Sequence, residues 1–451
     1  MSTTLVLDRV SAPVDRPAPH SSAKPLRDTT VDLARAWCLT VVVALHALMV
    51  GVSVSSHGPV LVNAMESWPW FAPVSWIVQI MPLFVVLGGF SSHTQWTRMR
   101  SRGVPPGVYV AQRMERLLRP AVVAVTGVVV ALAALATAGV PADLVATAGF
   151  RLSQPLWFLG VYILCSALVP LMAAAHRRAP VVTLTALAGA VVAVDVVRLS
   201  TGVTAIGFAN LLFVWLLIQQ LGFWLADGHV GRLGRRALGA LAVVAFVVLA
   251  VLSATGVYSF DMLANLNPPT LALVLLGVAQ LALFQLARPA LARLQHIRVL
   301  AMVVEAVNAR AMTIYLWHML VLIALAGALL LSGARLPVPL SADWWLSRPL
   351  WLIAVVGGVT AVVALAGRAE VRRPREGGGG AVAGGGGAGR VSVGARMGVQ
   401  AATPYASAAL GAAGVLILLL TGFSPAGGVL GVALLAGALR LLRAISSSGV
   451  R

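Results

Sequence analysis

Long apolar runs, separated by short polar and basic stretches, fill most of this chain. A helix rises about 1.5 Å per residue, so roughly 20 apolar residues cross the hydrocarbon of a bilayer. Runs of that length lie near 34–54, 73–95, 119–139, 155–175, 180–198, 208–226, 236–256, 268–287, 311–331 and 348–367. Two shorter ones follow near 405–422 and 426–443. The pattern predicts an all-α fold, a polytopic transmembrane helical bundle of about ten core spans plus a C-terminal two-helix hairpin. Asp195 interrupts the end of the fifth run, which makes that span the least regular.

Composition agrees with lipid as the solvent. Hydrophobic residues make up 59% of the chain and charged residues 10%, too few to cover a water-facing exterior. Several of the 12 tryptophans sit at the ends of apolar runs, as interfacial anchors do. The net charge of +19 raises the question of nucleic acid, but the basic residues are spread over many short loops and form no single patch. Nucleic acid is not an expected partner. Cys38 and Cys165 both lie inside apolar runs and suggest neither a disulfide framework nor a metal site.

The basic residues set the orientation, because cytoplasmic loops retain Lys and Arg. With both ends inside, 29 of the 33 fall in inner segments, and only Arg151, Arg198, Arg335 and Arg348 fall in outer loops. A miscounted span would swap inner and outer loops beyond it, so the split favours an N-in, C-in arrangement in the inner or plasma membrane. Residues 1–26, rich in proline and without an apolar core after a basic start, are expected to be a disordered cytoplasmic tail and not a signal peptide. Residues 27–367 hold the ten-span core, 368–404 read as a Gly/Arg-rich linker, and 405–451 as the hairpin and a short tail.

Ionisable side chains inside a bilayer are costly, so each is a candidate site. His46 lies about 15 Å into the first span, near the midplane. Arg35 precedes it by eleven residues, only about 20° past three full turns, so both share one helix face. Asp28, Asp32, Leu39 and Val42 continue that face. A neutral imidazole is suited to take a proton from a hydroxyl. The plainer alternative is a histidine that only bonds a neighbouring helix.

Arg113, Arg116 and Arg119 recur every three residues where the third span begins. Guanidinium forks match phosphate oxygens, although topology alone also places arginines here. Tyr315 and His318, at i and i+3 on the ninth span, either pack and bond locally or wall a polar pocket shared with His46. Gln219, Gln220, Gln280 and Gln285 either line a cavity or bond helices together. Asp195 and Arg198, also at i and i+3, suggest a self-neutralising pair near the outer surface.

Four stretches, taken in order, resemble the membrane-bound acyltransferase family 3, which includes bacterial O-acetyltransferases of surface polysaccharides. They are RDTTVDLARAWCLTVVVALHA with Arg35 and His46, MPLFVVLGGFSSHTQW, RMERLLRP with Arg113 and Arg116, and PLWFLGVYILCSALVPLM with Trp157. TIYLWHMLVL adds a weaker echo, and the match spans roughly 27–367. Gly88-Gly89-Phe90 stands where many relatives have Ser-Gly-Phe.

The resemblance implies an O-acyltransferase that moves an acyl group, acetyl or another short one, from acyl-CoA to a hydroxylated acceptor. That acceptor would be a glycan, a glycolipid or a secreted metabolite. His46 would be the catalytic base, with Arg35 supporting it or the donor. Arg113 and Arg116 would bind the phosphates of CoA, and Trp157, Tyr315 and His318 would wall the pocket. No metal and no permanently bound cofactor is expected. The competing reading is a proton-coupled secondary transporter using the same intramembrane polar groups, against which the lack of an evident internal repeat counts. The longest expected outer loop, near 55–72, is too short to hold a separate catalytic domain.

Overall fold

The computed structural model describes residues 28–55, 58–332, 336–370 and 392–448. The expected N-terminal tail and most of the expected linker therefore lie outside the described residues. Sixteen α-helices and one β-hairpin make up the described chain. The helices are α1 (Thr29–Met49), α2 (Phe71–Val78), α3 (Met81–Ser101), α4 (Pro106–Thr137), α5 (Ala142–Ser153), α6 (Leu156–Arg178), α7 (Pro180–Thr201) and α8 (Thr204–Gly207). They continue as α9 (Asn210–Ala226), α10 (Arg235–Ala254), α11 (Leu271–Leu294), α12 (Arg298–Ala309), α13 (Ala311–Leu331), α14 (Ala342–Glu370), α15 (Ser392–Thr421) and α16 (Pro425–Ser448).

Among the described residues, twelve helical segments are long and apolar enough to cross a membrane, in the expected order of ten followed by two. The protein is a multi-pass helical membrane protein. Three of the twelve are broken. Phe71–Ser101 divides at Gln79–Ile80, Ala142–Arg178 divides at Gln154–Pro155, and Thr204–Ala226 divides at Phe208–Ala209. A further departure follows α1 directly. Strands β1 (Val50–Ser55) and β2 (Gly58–Asn63) pair antiparallel, with Val50 opposite Asn63. The sequence pattern places residues 50–54 in the first span. The period-two placing of Val50, Val52 and Val54 before Gly58-Pro59 is the strand pattern that the apolar count conceals.

The breaks leave main-chain groups that must be satisfied inside the bundle. Gln280 of α11 serves the first: its Nε2 donates to the Gln79 carbonyl at 2.8 Å, and its Oε1 accepts from the Leu83 N–H at 3.0 Å. At the second, the Tyr315 hydroxyl donates to the Pro155 carbonyl at 2.5 Å. Gln219 and Gln220 of α9 donate to the carbonyls of Cys165 and Met172 on α6. Gln285 accepts from Arg288 on its own helix. Gln219, Gln220 and Gln280 thus tie helices together, and none of the four glutamines lines the cavities beside His46.

Helices α3 and α9 meet backbone to backbone. A Cβ at Gly89 would lie 2.4 Å from the Gln219 carbonyl oxygen, and one at Gly222 would lie 2.1 Å from that of Val86. Only glycine permits this approach. The Cβ of a residue at position 88 would meet Tyr162 at an ordinary 3.6 Å, so Gly88 is not required by close packing.

Asp195 proves to be more than half of a surface pair. It is 2% exposed and accepts from Asn210 Nδ2 at 3.0 Å, the Tyr258 hydroxyl at 2.7 Å and the Leu271 N–H at 2.9 Å. Arg198 stays 4.0 Å away. A buried carboxylate needs donors on both oxygens, and α9, the loop 255–270 and the first turn of α11 supply what the i,i+3 neighbour alone could not. Burial and the bond to Asp195 push the Tyr258 phenol above its ordinary pKa, which keeps it a donor.

The C-terminal hairpin is packed against the core. Helices α15 and α16 bury Val415, Leu418, Leu435 and Ala438 in the same cluster as Leu118, Leu132 and Ile163 of α4 and α6. Helix α14 runs to Glu370 and α15 begins at Ser392, so both ends of the segment expected to be a linker are helical.

Candidate functional site

A cavity of about 1360 Å³ runs beside α1, touching Arg35, Leu39, Val42, His46 and Met49 in succession. These positions span about 20 Å of helix axis. The α1 helix is fixed at its start. The Asp28 carboxylate caps the Thr30 and Val31 N–H groups at 3.1 and 3.3 Å and pairs with Arg288 of α11. Asn308 of α12 donates to the Asp32 carbonyl at 2.8 Å.

One end of the cavity is strongly cationic. Arg35, Arg113, Arg116, Arg119 and Arg310 line it, with Glu115 as the one acid in the lining. Arg113 is 8% exposed; its Nε donates to the Tyr109 hydroxyl at 3.2 Å and its Nη2 to Ser92 Oγ at 3.2 Å. It is a held residue at the inner wall, whereas Arg116 is exposed at the rim. The Nε of Arg35 is buried without a hydrogen-bond partner among the described residues. That Nε is enclosed by protein, so Arg35 lines the cavity through its other atoms. Arg310 joins Arg119 at the same cationic end, which the sequence alone does not show because α4 and the start of α13 are distant in the chain.

His46 lies about 16 Å along α1 from Arg35. Its Nδ1 is 2.9 Å from the Val42 carbonyl and 3.3 Å from the Nε2 of His318. The imidazole also borders a second cavity of about 150 Å³, with Asn63, Arg151, Gln154 and Pro155. Arg151, expected in an outer loop, instead sits in the last turn of α5, which folds back into the bundle before the chain breaks and resumes as α6. The break brings Gln154 to both cavities. The sequence reading missed both residues because it begins the fourth span at residue 155 and leaves the stretch that forms α5 in a loop.

Far from the arginines, the larger cavity reaches Gln79, Leu263, Leu266 and Asn267. Chain connectivity places these beyond the Met49 end of α1. Trp157 and Tyr315 line its middle, and Trp157 stacks on the buried Trp215 at 5.6 Å. His318 is 1% exposed and lines neither cavity; it contacts His46 from behind. From α15, Leu416, Leu419 and Leu420 complete an apolar side wall. Cys38 and Cys165 are buried and absent from the lining. Among the described residues no group of three His, Cys, Asp or Glu has the arrangement of a metal site.

The geometry joins a rim of arginines and the His46 imidazole in one cavity. No curated protein matches the chain, and no solved structure matches it. The model of an acyltransferase domain family matches residues 28–367, which is the ten-span core and leaves α15 and α16 outside. That match favours an enzyme over a secondary transporter. The chain belongs to acyltransferase family 3 and is a membrane O-acyltransferase.

Proposed function

We propose that the protein takes an acyl group, acetyl or another short one, from acyl-CoA at the arginine-lined end and gives it to a hydroxyl arriving from the opposite end. The observation that carries this reading is one cavity holding both the cationic rim and His46. CoA carries several phosphate charges, and Arg116, Arg119 and Arg310 offer guanidinium forks to them. Arg113, held by Tyr109 and Ser92, and Arg35 stand deeper, where the diphosphate or the thioester end would reach. The pantetheine arm is long enough to cover the distance to His46.

At His46 the acceptor hydroxyl loses its proton to the imidazole as its oxygen bonds to the thioester carbonyl carbon. The C–S bond breaks, and the departing thiolate takes the proton back to leave as CoA thiol. No covalent acyl-enzyme is needed. Gln154, Arg151 and Asn63 beside His46 suit a polar, hydroxylated acceptor such as a glycan, a glycolipid or a secreted metabolite. With the arginine end in the cytoplasm, as the charge distribution favours, donor and acceptor approach from opposite sides of the inner or plasma membrane.

The test is acetyl-CoA consumption by purified protein in lipid nanodiscs, with a membrane extract as acceptor source. Wild type is expected to release CoA. His46→Ala is expected to bind acetyl-CoA and turn over negligibly, and Arg113→Ala/Arg116→Ala to weaken binding. Normal turnover by His46→Ala would overturn the proposed chemistry. An envelope glycan or lipid lighter by one acyl group in a deletion strain would identify the acceptor.

A further inference from the structure

Both histidines of the site have a main-chain carbonyl at Nδ1. For His46 it is Val42 O at 2.9 Å, and for His318 it is Tyr315 O at 2.6 Å. A carbonyl oxygen only accepts, so in the neutral rings each Nδ1 carries the hydrogen and each Nε2 the lone pair. The two rings meet at 51°, with His318 Nε2 3.3 Å from His46 Nδ1. The His318 lone pair is therefore a second acceptor for the one N–H of His46. The other tautomer of His46 would turn three lone pairs toward one another, two on ring nitrogens and one on the Val42 oxygen.

The consequence falls on the far side of the ring. His46 Nε2 has no protein partner among the described residues and is not among the enclosed unpartnered atoms, so its lone pair opens to the cavity. His318 is sealed from both cavities and cannot touch a substrate. No carboxylate bonds to either ring among the described residues, so none competes for the proton.

The geometry points to His318 as the positioning residue of the His46 base: its Nε2 holds the His46 ring in the tautomer with a free Nε2 and accepts the Nδ1–H bond that strengthens when His46 becomes imidazolium. This rests on the reading of His46 as base. In the transfer the hydroxyl proton moves to His46 Nε2 and from there to the thiolate sulfur, while His318 neither gains nor loses one. A hydrogen bond to a charged partner is worth more than the same bond to a neutral one, so the stabilisation rises during reaction.

Two measurements test this on the full chain in bilayers. The first is nitrogen-15 NMR of histidine-labelled protein, with His46→Ala and His318→Gln for assignment. Both rings are expected to be protonated at Nδ1 and bare at Nε2; a His46 ring protonated at Nε2 would overturn the inference. The second is turnover of acetyl-CoA by His318→Gln, His318→Asn and His318→Phe. The Gln carbonyl oxygen replaces Nε2 as acceptor, whereas Asn reaches only the Nδ1 position and Phe offers neither. For Asn and Phe, kcat is expected to fall about tenfold to a hundredfold with the KM for acetyl-CoA unchanged, and Gln is expected to restore most of it. Equal loss in Gln and Phe, or none in Phe, would leave His318 a packing residue. A wild type that releases no CoA would count against the acyl-CoA reading alone, since the tautomers are read without turnover.

Discussion

Two pairs of histidines lie in this bundle, and they are wired in opposite senses. His93 of α3 and His176 of α6 each point Nε2 at the Asp227 carboxylate that ends α9, at 3.0 and 3.2 Å. A carboxylate accepts, so these rings carry hydrogen at Nε2 when neutral, and their bare Nδ1 atoms are buried without partners. His46 and His318 face no acid and carry hydrogen at Nδ1, with one lone pair open to a cavity. The first pair is a latch that ties α3, α6 and the end of α9 together. The second leaves a base free. Residue type does not separate them; the partner of each nitrogen does.

The contrast breaks most sharply under substitution. His46→Ala is expected to lower kcat by about 10²–10⁴-fold with the melting temperature nearly unchanged, whereas His176→Ala is expected to do the reverse. Comparable loss of turnover in both would remove the distinction. Turnover beside thermal unfolding in nanodiscs reads both effects. Arg113→Ala/Arg116→Ala comes next: binding of acetyl-CoA, followed by calorimetry, is expected to weaken about tenfold to a hundredfold, and unchanged affinity would free the rim of its phosphate role.

Gly89→Val should destabilise the protein by about 1–3 kcal/mol, because its side chain meets the Gln219 carbonyl of α9, whereas Gly88→Ser should be nearly neutral. Thermal unfolding of the two variants compares them, and equal effects would count against close approach as the reason for that glycine. The smallest effect is expected from Asp227→Asn. It keeps one acceptor and one amide, so the latch weakens by about 1 kcal/mol while kcat for acyl transfer stays unchanged.

How much of this was legible in the sequence differs between the two pairs. Arg35 and His46 share a helix, and a spacing of eleven residues suffices to put them on one face. Tyr315 and His318 are likewise readable as neighbours, but that His318 supports His46 while Tyr315 braces the broken helix at Pro155 requires α1, α6 and α13 to be brought together. The latch was invisible, because His93, Asp227 and His176 stand on three helices with no motif between them. The half-helix α5 was hidden for another reason: the apolar count begins the span at residue 155 and leaves 142–154 in a loop, whereas the structure brings Arg151 beside His46.

The sequence by itself determined the solvent, the number of spans and the family, because hydrophobic length and ordered motifs are local properties of a chain in lipid. Only the tertiary structure decided which nitrogen of His46 is free, which arginines share one rim, and that α15 walls the cavity with Leu416, Leu419 and Leu420. In a bilayer nearly every helix face is apolar, so hydrophobicity does not say which faces meet. Close glycine contacts and hydrogen bonds between distant helices do.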